Sequence, residues 1–298
     1  MIPTMRLALG SLLVGLFVLA LKTLAWWLTG SLALMSDALE SIVNVAAALA
    51  MIIALHVARR PADANHPFGH HKAEFFSAVL EGVLIVVAAV FILTEAWGAF
   101  RAPAPIAAPG PGLAVNATAG LINGAWAWWL IRAGRRHRSP ALVADGRLLM
   151  ADLVTTLGVL GGLGLATLTG WWLLDPALAV LVALNILWSG WTVIRGSLSG
   201  LMDEAVSEEE LQTIRRLIAD AADDHTALEA HDLRTRHAGP VTFIEFHLVV
   251  PGDTTVERAH CLCDRIEAAL TTALPDARVT IHVEPEHKAK HSGIVVLS

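Results

Sequence analysis

The sequence predicts an α-helical membrane protein with six transmembrane helices and a small C-terminal α+β domain in the order αββαβ. Three observations carry that prediction. Only 16% of the 298 residues are charged, against about 25% in a soluble globular chain. Hydrophobic residues make up 55% of the sequence and gather in long runs. Charges are sparse up to about residue 200 and dense beyond Asp203, so the membrane domain is placed at 1–202 and the cytoplasmic domain at 203–298.

A bilayer crossing takes about 20 mostly apolar residues, and six segments qualify: 7–28, 32–57, 75–99, 112–132, 141–168 and 173–196. The first resembles a removable leader, but it is too long, holds Lys22 and Trp26-Trp27, and another span follows at once. Trp pairs at 26–27, 128–129 and 171–172 fit interfacial belts. Pro103, Pro105, Pro109 and Pro111 interrupt the chain between the third and fourth spans. Basic residues set the orientation. Arg59 and Arg60 follow span two, Arg132, Arg135, Arg136 and Arg138 follow span four, and Arg195 ends span six. The positive-inside rule therefore puts both termini in the cytoplasm.

In the tail, Ser207 and Glu210 form a capping box that opens a helix to about Asp224, with Leu211, Ile214, Leu217 and Ile218 on one face. Strands are expected near His231–Arg236 and Thr242–Val250, joined by a Gly239-Pro240 turn. After Pro251-Gly252, Thr254 with Glu257 caps a helix to about Ala273, Pro275 stops it, and Val279–Glu284 forms a third strand. This order suggests a small antiparallel sheet backed by two helices.

Carboxylates inside a membrane are expensive, which makes their default reading functional. Asp37, Glu40 and Asn44 lie along one stripe of the second span, at i, i+3 and i+7. Asp145 and Asp152 lie along one stripe of the fifth, with Leu148 between them. No membrane Lys or Arg is expected beside these acids, so a passing cation or a proton is left to balance them. The plainer alternative is that Asp37 and Asp145 cap or tie helices and the rest pair with each other. The GxxxG spacings Gly120/Gly124 and Gly158/Gly162 permit close helix packing and say little about function.

Histidines cluster outside the membrane. Asp63, His66 and His70 stand in one short loop after span two, a plausible transition-metal set. The tail holds His231, His247, His260, His282 and Glu284 near ends or faces of regular elements. The period of two puts Val279, Ile281 and Val283 inward, and His282 with Glu284 outward. His287 and His291 fit a frayed end better than a ligand set. Cys261 and Cys263 suit a reducing compartment and ordinary helix packing. The net charge of -6, carried mostly by the acidic tail, argues against a nucleic-acid partner. Neither a nucleophile–base motif nor a phosphate-binding glycine loop is present, so an enzyme is not expected.

The chain resembles the cation diffusion facilitator family over nearly its whole length, specifically its bacterial zinc/iron efflux members. The resemblance is carried by Trp26-Trp27-Leu28-Thr29-Gly30-Ser31, Pro61-Ala62-Asp63, Asn65-His66, Phe68-Gly69-His70 and Lys72-Ala73-Glu74. The tail adds His231-Asp232-Leu233-Arg234-Thr235-Arg236, Gly239-Pro240, Phe243-Ile244, His247-Leu248, Ala259-His260 and Ile281-His282. It implies six spans in a bacterial inner membrane, a ferredoxin-like cytoplasmic domain, homodimers, and exchange of a divalent metal (zinc, iron or manganese) for protons. Residue by residue, it implies one metal site at Asp63, His66 and His70. A second falls at His231, His247, His260, His282 and Glu284, the last standing where relatives usually carry Asp. Lys72 and Asp203 match a pair that ties the membrane helices to the tail.

At the transport site the sequence departs from that pattern. Relatives place two ligands four residues apart in each of spans two and five; here the positions hold Glu40, Asn44, Leu148 and Asp152. Leu148 ligates nothing, and Asn44 offers a neutral oxygen. Two outcomes follow. Either Asp37, Glu40, Asn44, Asp145 and Asp152 rebuild an all-oxygen site, suited to manganese or ferrous iron, or the chain survives as a transport-deficient metal-sensing or partner subunit.

Overall fold

The computed structural model describes residues 3–29, 32–101, 110–169, 173–222, 227–290 and 295–296. Gly30, Ser31, Pro103, Pro105, Pro109, Trp171, Trp172 and His291 lie outside them. The chain divides into two compact units, Met1–Leu198 and Ser199–Ser298.

The first unit is built from α1 (Pro3–Thr29), α2 (Leu32–Ala58), α3 (Ala73–Arg101), α4 (Gly110–Arg136), α5 (Pro140–Thr169) and α6 (Leu174–Leu201). Helices of this length extend about 40 Å and exceed the roughly 30 Å hydrocarbon core of a bilayer. Four stretches among the described residues are also apolar enough to cross it: Pro3–Leu28, Asp37–Ala58, Ala73–Arg101 and Pro176–Leu201. Buried polar side chains line α4 at Asn116 and Asn123 and α5 at Asp145 and Asp152. Large apolar side chains point outward instead: Leu13, Phe17, Trp27, Ile53 and Trp188 are all exposed. Polar groups inside and apolar groups outside reverse the pattern of a water-soluble bundle and suit lipid. At helix ends, Arg132 lies over the Trp128 ring at 5.8 Å and Arg101 over the Trp97 ring at 5.1 Å, the pairing expected of a headgroup-level belt.

Helix α4 runs along α5, and α1 packs against both α2 and α4. Glycines set the approach of α4 to α5. A Cβ on Gly124 would stand 2.4 Å from Leu153 Cδ2, and one on Gly120 would stand 3.0 Å from Thr156 Cγ2. At Gly146 the added Cβ would meet backbone, the Ala127 carbonyl oxygen at 3.0 Å and the Ile131 nitrogen at 3.1 Å. Backbone cannot rotate away as a side chain can. Gly146→Ala is therefore expected to destabilise the helical unit by about 1–3 kcal/mol, measured as thermal unfolding in detergent; an unchanged midpoint would show that the helices part freely.

The second unit contains α7 (Glu208–Ala221), β1 (Glu229–Ala238), β2 (Val241–Val250), α8 (Val256–Ala273), β3 (Ala277–Pro285) and a two-residue β4 (Val295–Val296). Ser207 Oγ accepts the Glu210 N–H at 3.3 Å and opens α7. Thr255, rather than the expected Thr254, caps α8 by accepting the Arg258 N–H at 3.3 Å. The chain reverses between β1 and β2 at Gly239, whose φ of 57° is left-handed and favours glycine. Ile214 and Ile218 of α7 and Leu262, Ile266 and Leu270 of α8 pack onto Ile244, Phe246 and Leu248 of the sheet.

The strand order is β3-β2-β1-β4. Strands β1 and β2 are antiparallel, but β2 and β3 run parallel, which corrects the expected antiparallel sheet. The reason is the connection: α8 crosses over the sheet and returns the chain to the end where β2 began, so β3 repeats its direction.

Candidate functional site

Within the helical unit, α2 contributes Asp37 and Glu40 and α5 contributes Asp152. Ligand oxygens of these three carboxylates all lie within 4.8 Å of one another. One turn separates Asp37 from Glu40, so both share a helix face. Asp152 is buried on α5 and accepts a 2.7 Å hydrogen bond from Asn123 of α4 at Oδ2.

The expectation that no cation stands beside these acids is overturned. Lys22 of α1 is 0% exposed, and its Nζ lies 2.7 Å from Asp37 Oδ1 and 2.7 Å from Asp152 Oδ1. Sequence reading missed it because a single Lys inside an apolar run reads as a residue that snorkels to the interface. Its one signal was position, 15 residues before Asp37 on the opposite arm of a helical hairpin.

Asn44 is buried, and its Nδ2 has no hydrogen-bond partner among the described residues. Leu148 sits in an apolar cluster with Ala47, Ala78, Ala144 and Ala151, so that position supplies no donor. Asp145 belongs to other surroundings. It is buried, accepts a short hydrogen bond from Ser11, and stands about 10 Å along α5 from Asp152. Glu81 of α3 is also fully buried, and Ser77 donates to it at 2.9 Å. Ser11 was not legible as a partner of Asp145, nor Glu81 as a buried acid, before the helices were placed.

In the loop between α2 and α3, Asp63 gathers both histidines. Its Oδ1 lies 3.1 Å from His66 Nδ1, and its Oδ2 lies 3.5 Å from His70 Nε2. The loop is organised before any ion arrives, since the backbone N–H groups of Asn65 and His66 donate to Asp63 Oδ1 at 2.9 and 2.7 Å. The His66 N–H, the larger cause, holds the Asp63 carboxyl below the usual carboxylate range. A depressed carboxyl favours the ordered loop above its unfolded pKa, and that preference fades as pH falls through the folded value. A ¹³C carboxyl titration of Asp63 is accordingly expected to have its midpoint below that of an unstructured Asp; an equal midpoint would mean the loop is not held in this form.

The tail presents a row of imidazoles. His231 on β1 is directly opposite His247 on β2, which in turn is in register with His282 on β3. Ring centroids are 5.3 and 4.8 Å apart along that row. Glu284, two residues past His282 and so on the same face, reaches all three. Its carboxylate oxygens lie 3.3 Å from His231 Nε2, 3.3 Å from His247 Nδ1 and 3.7 Å from His282 Nε2. The buried ring nitrogens of His231, and Nδ1 of His247, have no hydrogen-bond partner among the described residues. Two imidazoles and a carboxylate with orphaned donor atoms fit a zinc-class ion.

A bulge just after His231 breaks the β1–β2 register, with Asp232 there at a left-handed φ of 52°. Lys290 Nζ lies 2.5 Å from Asp232 Oδ2 and holds that carboxyl below its usual range. Glu229, unremarked in the sequence, is buried, and its Oε1 lies 3.0 Å from His231 Nδ1. His260 sits apart from this row on α8, 75% exposed and 3.6 Å from Asp264. Cys263 packs against the core and Cys261 is exposed. Asp203 accepts a 3.1 Å hydrogen bond from Arg236 within the same unit.

A lipid-facing helical bundle with a buried carboxylate cluster, followed by an α/β domain with a histidine row, defines a membrane protein that handles metal cations. Residues 8–202 match the cation efflux transmembrane domain, and residues 206–286 match the cation efflux protein cytoplasmic domain. The chain belongs to this family of cation efflux transporters, the cation diffusion facilitators. It is 44% identical over 271 residues to an uncharacterized transporter of Synechocystis, covering 91% of this chain and 87% of that one. It is 31% identical over 283 residues to the cation-efflux pump FieF of Escherichia coli, covering 94% and 92% respectively. The metal-bound C-terminal domain of the CzcD transporter from Thermotoga maritima is 29% identical, covering 28% of this chain and 100% of that one, with a TM-score of 0.25.

Proposed function

We propose that this chain exports a divalent metal cation from the cytoplasm in exchange for protons, with Asp37, Glu40 and Asp152 as the ion's ligands. The convergence of these carboxylates within 4.8 Å on a buried Lys22 carries the reading. Asn123 fixes Asp152, and Asn44 and Asp145 line or support the path. An oxygen donor set favours manganese or ferrous iron over zinc. Protons returning to the carboxylates balance them once the metal leaves, which couples the two flows.

The reading includes six spans, both termini in the cytoplasm of a bacterial inner membrane, and a homodimer whose ferredoxin-like tails bind regulatory metal. Asp63, His66 and His70 would hold one ion. His231, His247, His282 and Glu284 would hold another, with His260 a further ligand. Metal there would cross-link β1, β2 and β3 at the tail and the two histidines with Asp63 in the loop. Lys72 and Asp203 would tie the helices to the tail.

A second reading, a transport-deficient metal-sensing subunit, is favoured by one observation: Lys22 already pairs with both Asp37 and Asp152. Flux separates the two. The full chain, reconstituted in vesicles with an acidic lumen, is expected to accumulate Mn²⁺, Fe²⁺ or Zn²⁺ and to stop when a protonophore collapses the gradient. No accumulation of any of the three selects the sensor.

A further inference from the structure

We propose that the Lys22 ammonium is a resident cation of the membrane site, keeping the transported ion's place between Asp37 and Asp152 and competing with it. The inference rests on the carrier reading and adds a specificity-determining residue to it.

Geometry supplies the first support. Lys22 Nζ is 2.7 Å from one oxygen of each carboxylate, and a divalent ion bound to the same oxygens would approach them to about 2.0–2.2 Å. Both cations would then occupy nearly the same point. Repulsion between them is steep in a site with little water, so only one can be present. The groups around that point are Asp37 and Glu40 from α2, Asn123 from α4 and Asp152 from α5. Asn116 of α4 hydrogen-bonds Asp37, and Glu95 of α3 acts on Glu40 from farther away. None of these is a second cation.

Side-chain chemistry supplies the second support. A lysine ammonium is a compact point charge on a flexible four-carbon stem, so it can withdraw along α1 without moving the helix. Between ions, the ammonium offsets one of the cluster's negative charges and protons can offset the others, which eases the return of the empty carrier. It also acts as a filter. A divalent ion gains enough from the carboxylates to displace a single positive charge; Na⁺ or K⁺ brings only the charge already present.

The test is uptake into vesicles with an acidic lumen, using whichever of Mn²⁺, Fe²⁺ or Zn²⁺ the wild type carries fastest. Lys22→Met is expected to lower KM at least tenfold. It is also expected to make uptake sensitive to 0.1 M Na⁺ or K⁺ that leaves the wild type unaffected. Should Lys22→Met fail to fold, the comparison is Lys22→Met/Asp37→Asn against Asp37→Asn, with the same lowering of KM expected. An unchanged or raised KM, with no sensitivity to monovalent ions, overturns the proposal while leaving the carrier reading intact. A wild type that carries no metal overturns both.

Discussion

Asp152→Ala is expected to reduce metal uptake by the reconstituted chain at least about 100-fold, beyond the 10–100-fold typical of groups that only support a ligand. Asp152 is the member of the carboxylate cluster contributed by α5, and both of its oxygens are engaged, one by Lys22 and one by Asn123. Removing it leaves Asp37 and Glu40, which come from a single helix and cannot enclose an ion. Lys22 keeps Asp37 as an ion-pair partner in this variant, but it loses one of its two carboxylates in a buried setting, which can also weaken the fold. Lost flux must therefore be separated from lost fold. Asp152→Asn keeps the side chain's shape and leaves Lys22 paired with Asp37; it is expected to retain thermal stability in detergent without recovering uptake. Uptake within a few-fold of wild type for either variant would place the ion elsewhere.

Glu284→Ala is expected to weaken zinc binding by the tail at least about 100-fold. Its carboxylate stands within 3.3–3.7 Å of ring nitrogens from three histidines on three strands, so one substitution removes a contact to each of them. Glu229 meets His231 and also accepts the Lys290 backbone N–H, and Glu229→Gln is expected to cost about 10–100-fold, the range for a group that orients a ligand. Zinc titration of the full chain in an Asp63→Ala background isolates the tail from the loop site. Equal affinities for wild type and Glu284→Ala would mean that the tail metal is held by another set.

The membrane helices and their boundaries were legible because a hydrocarbon solvent imposes length and apolarity directly on the sequence. The helices of the tail were legible for a similar local reason, since Ser207 and the apolar spacing of Ile214 and Ile218 are read within one element. The loop residues Asp63, His66 and His70 lie within eight residues of one another, so proximity in the chain already implied proximity in space. What escaped was non-local. That β3 runs parallel to β2 depends on the crossover of α8, and the alignment of His231, His247 and His282 depends on two strand registers. Period-two reasoning placed Glu284 beside His282 but could not show that it also faces His231. Lys22 was the costliest omission. The pattern gave its helix but not its rotation, so the reach of its side chain to Asp37 and Asp152 could not be read. The same lack of rotational information left Asp145 grouped with Asp152, although Ser11 is its partner.

The most direct measurement is a structure of the full chain in lipid with Mn²⁺, the metal located by its anomalous scattering. The expected result is an ion enclosed by Asp37, Glu40 and Asp152, with the Lys22 side chain withdrawn from between them. Manganese found only beside Asp63 or Glu284, with Lys22 still bridging the two carboxylates, would contradict it.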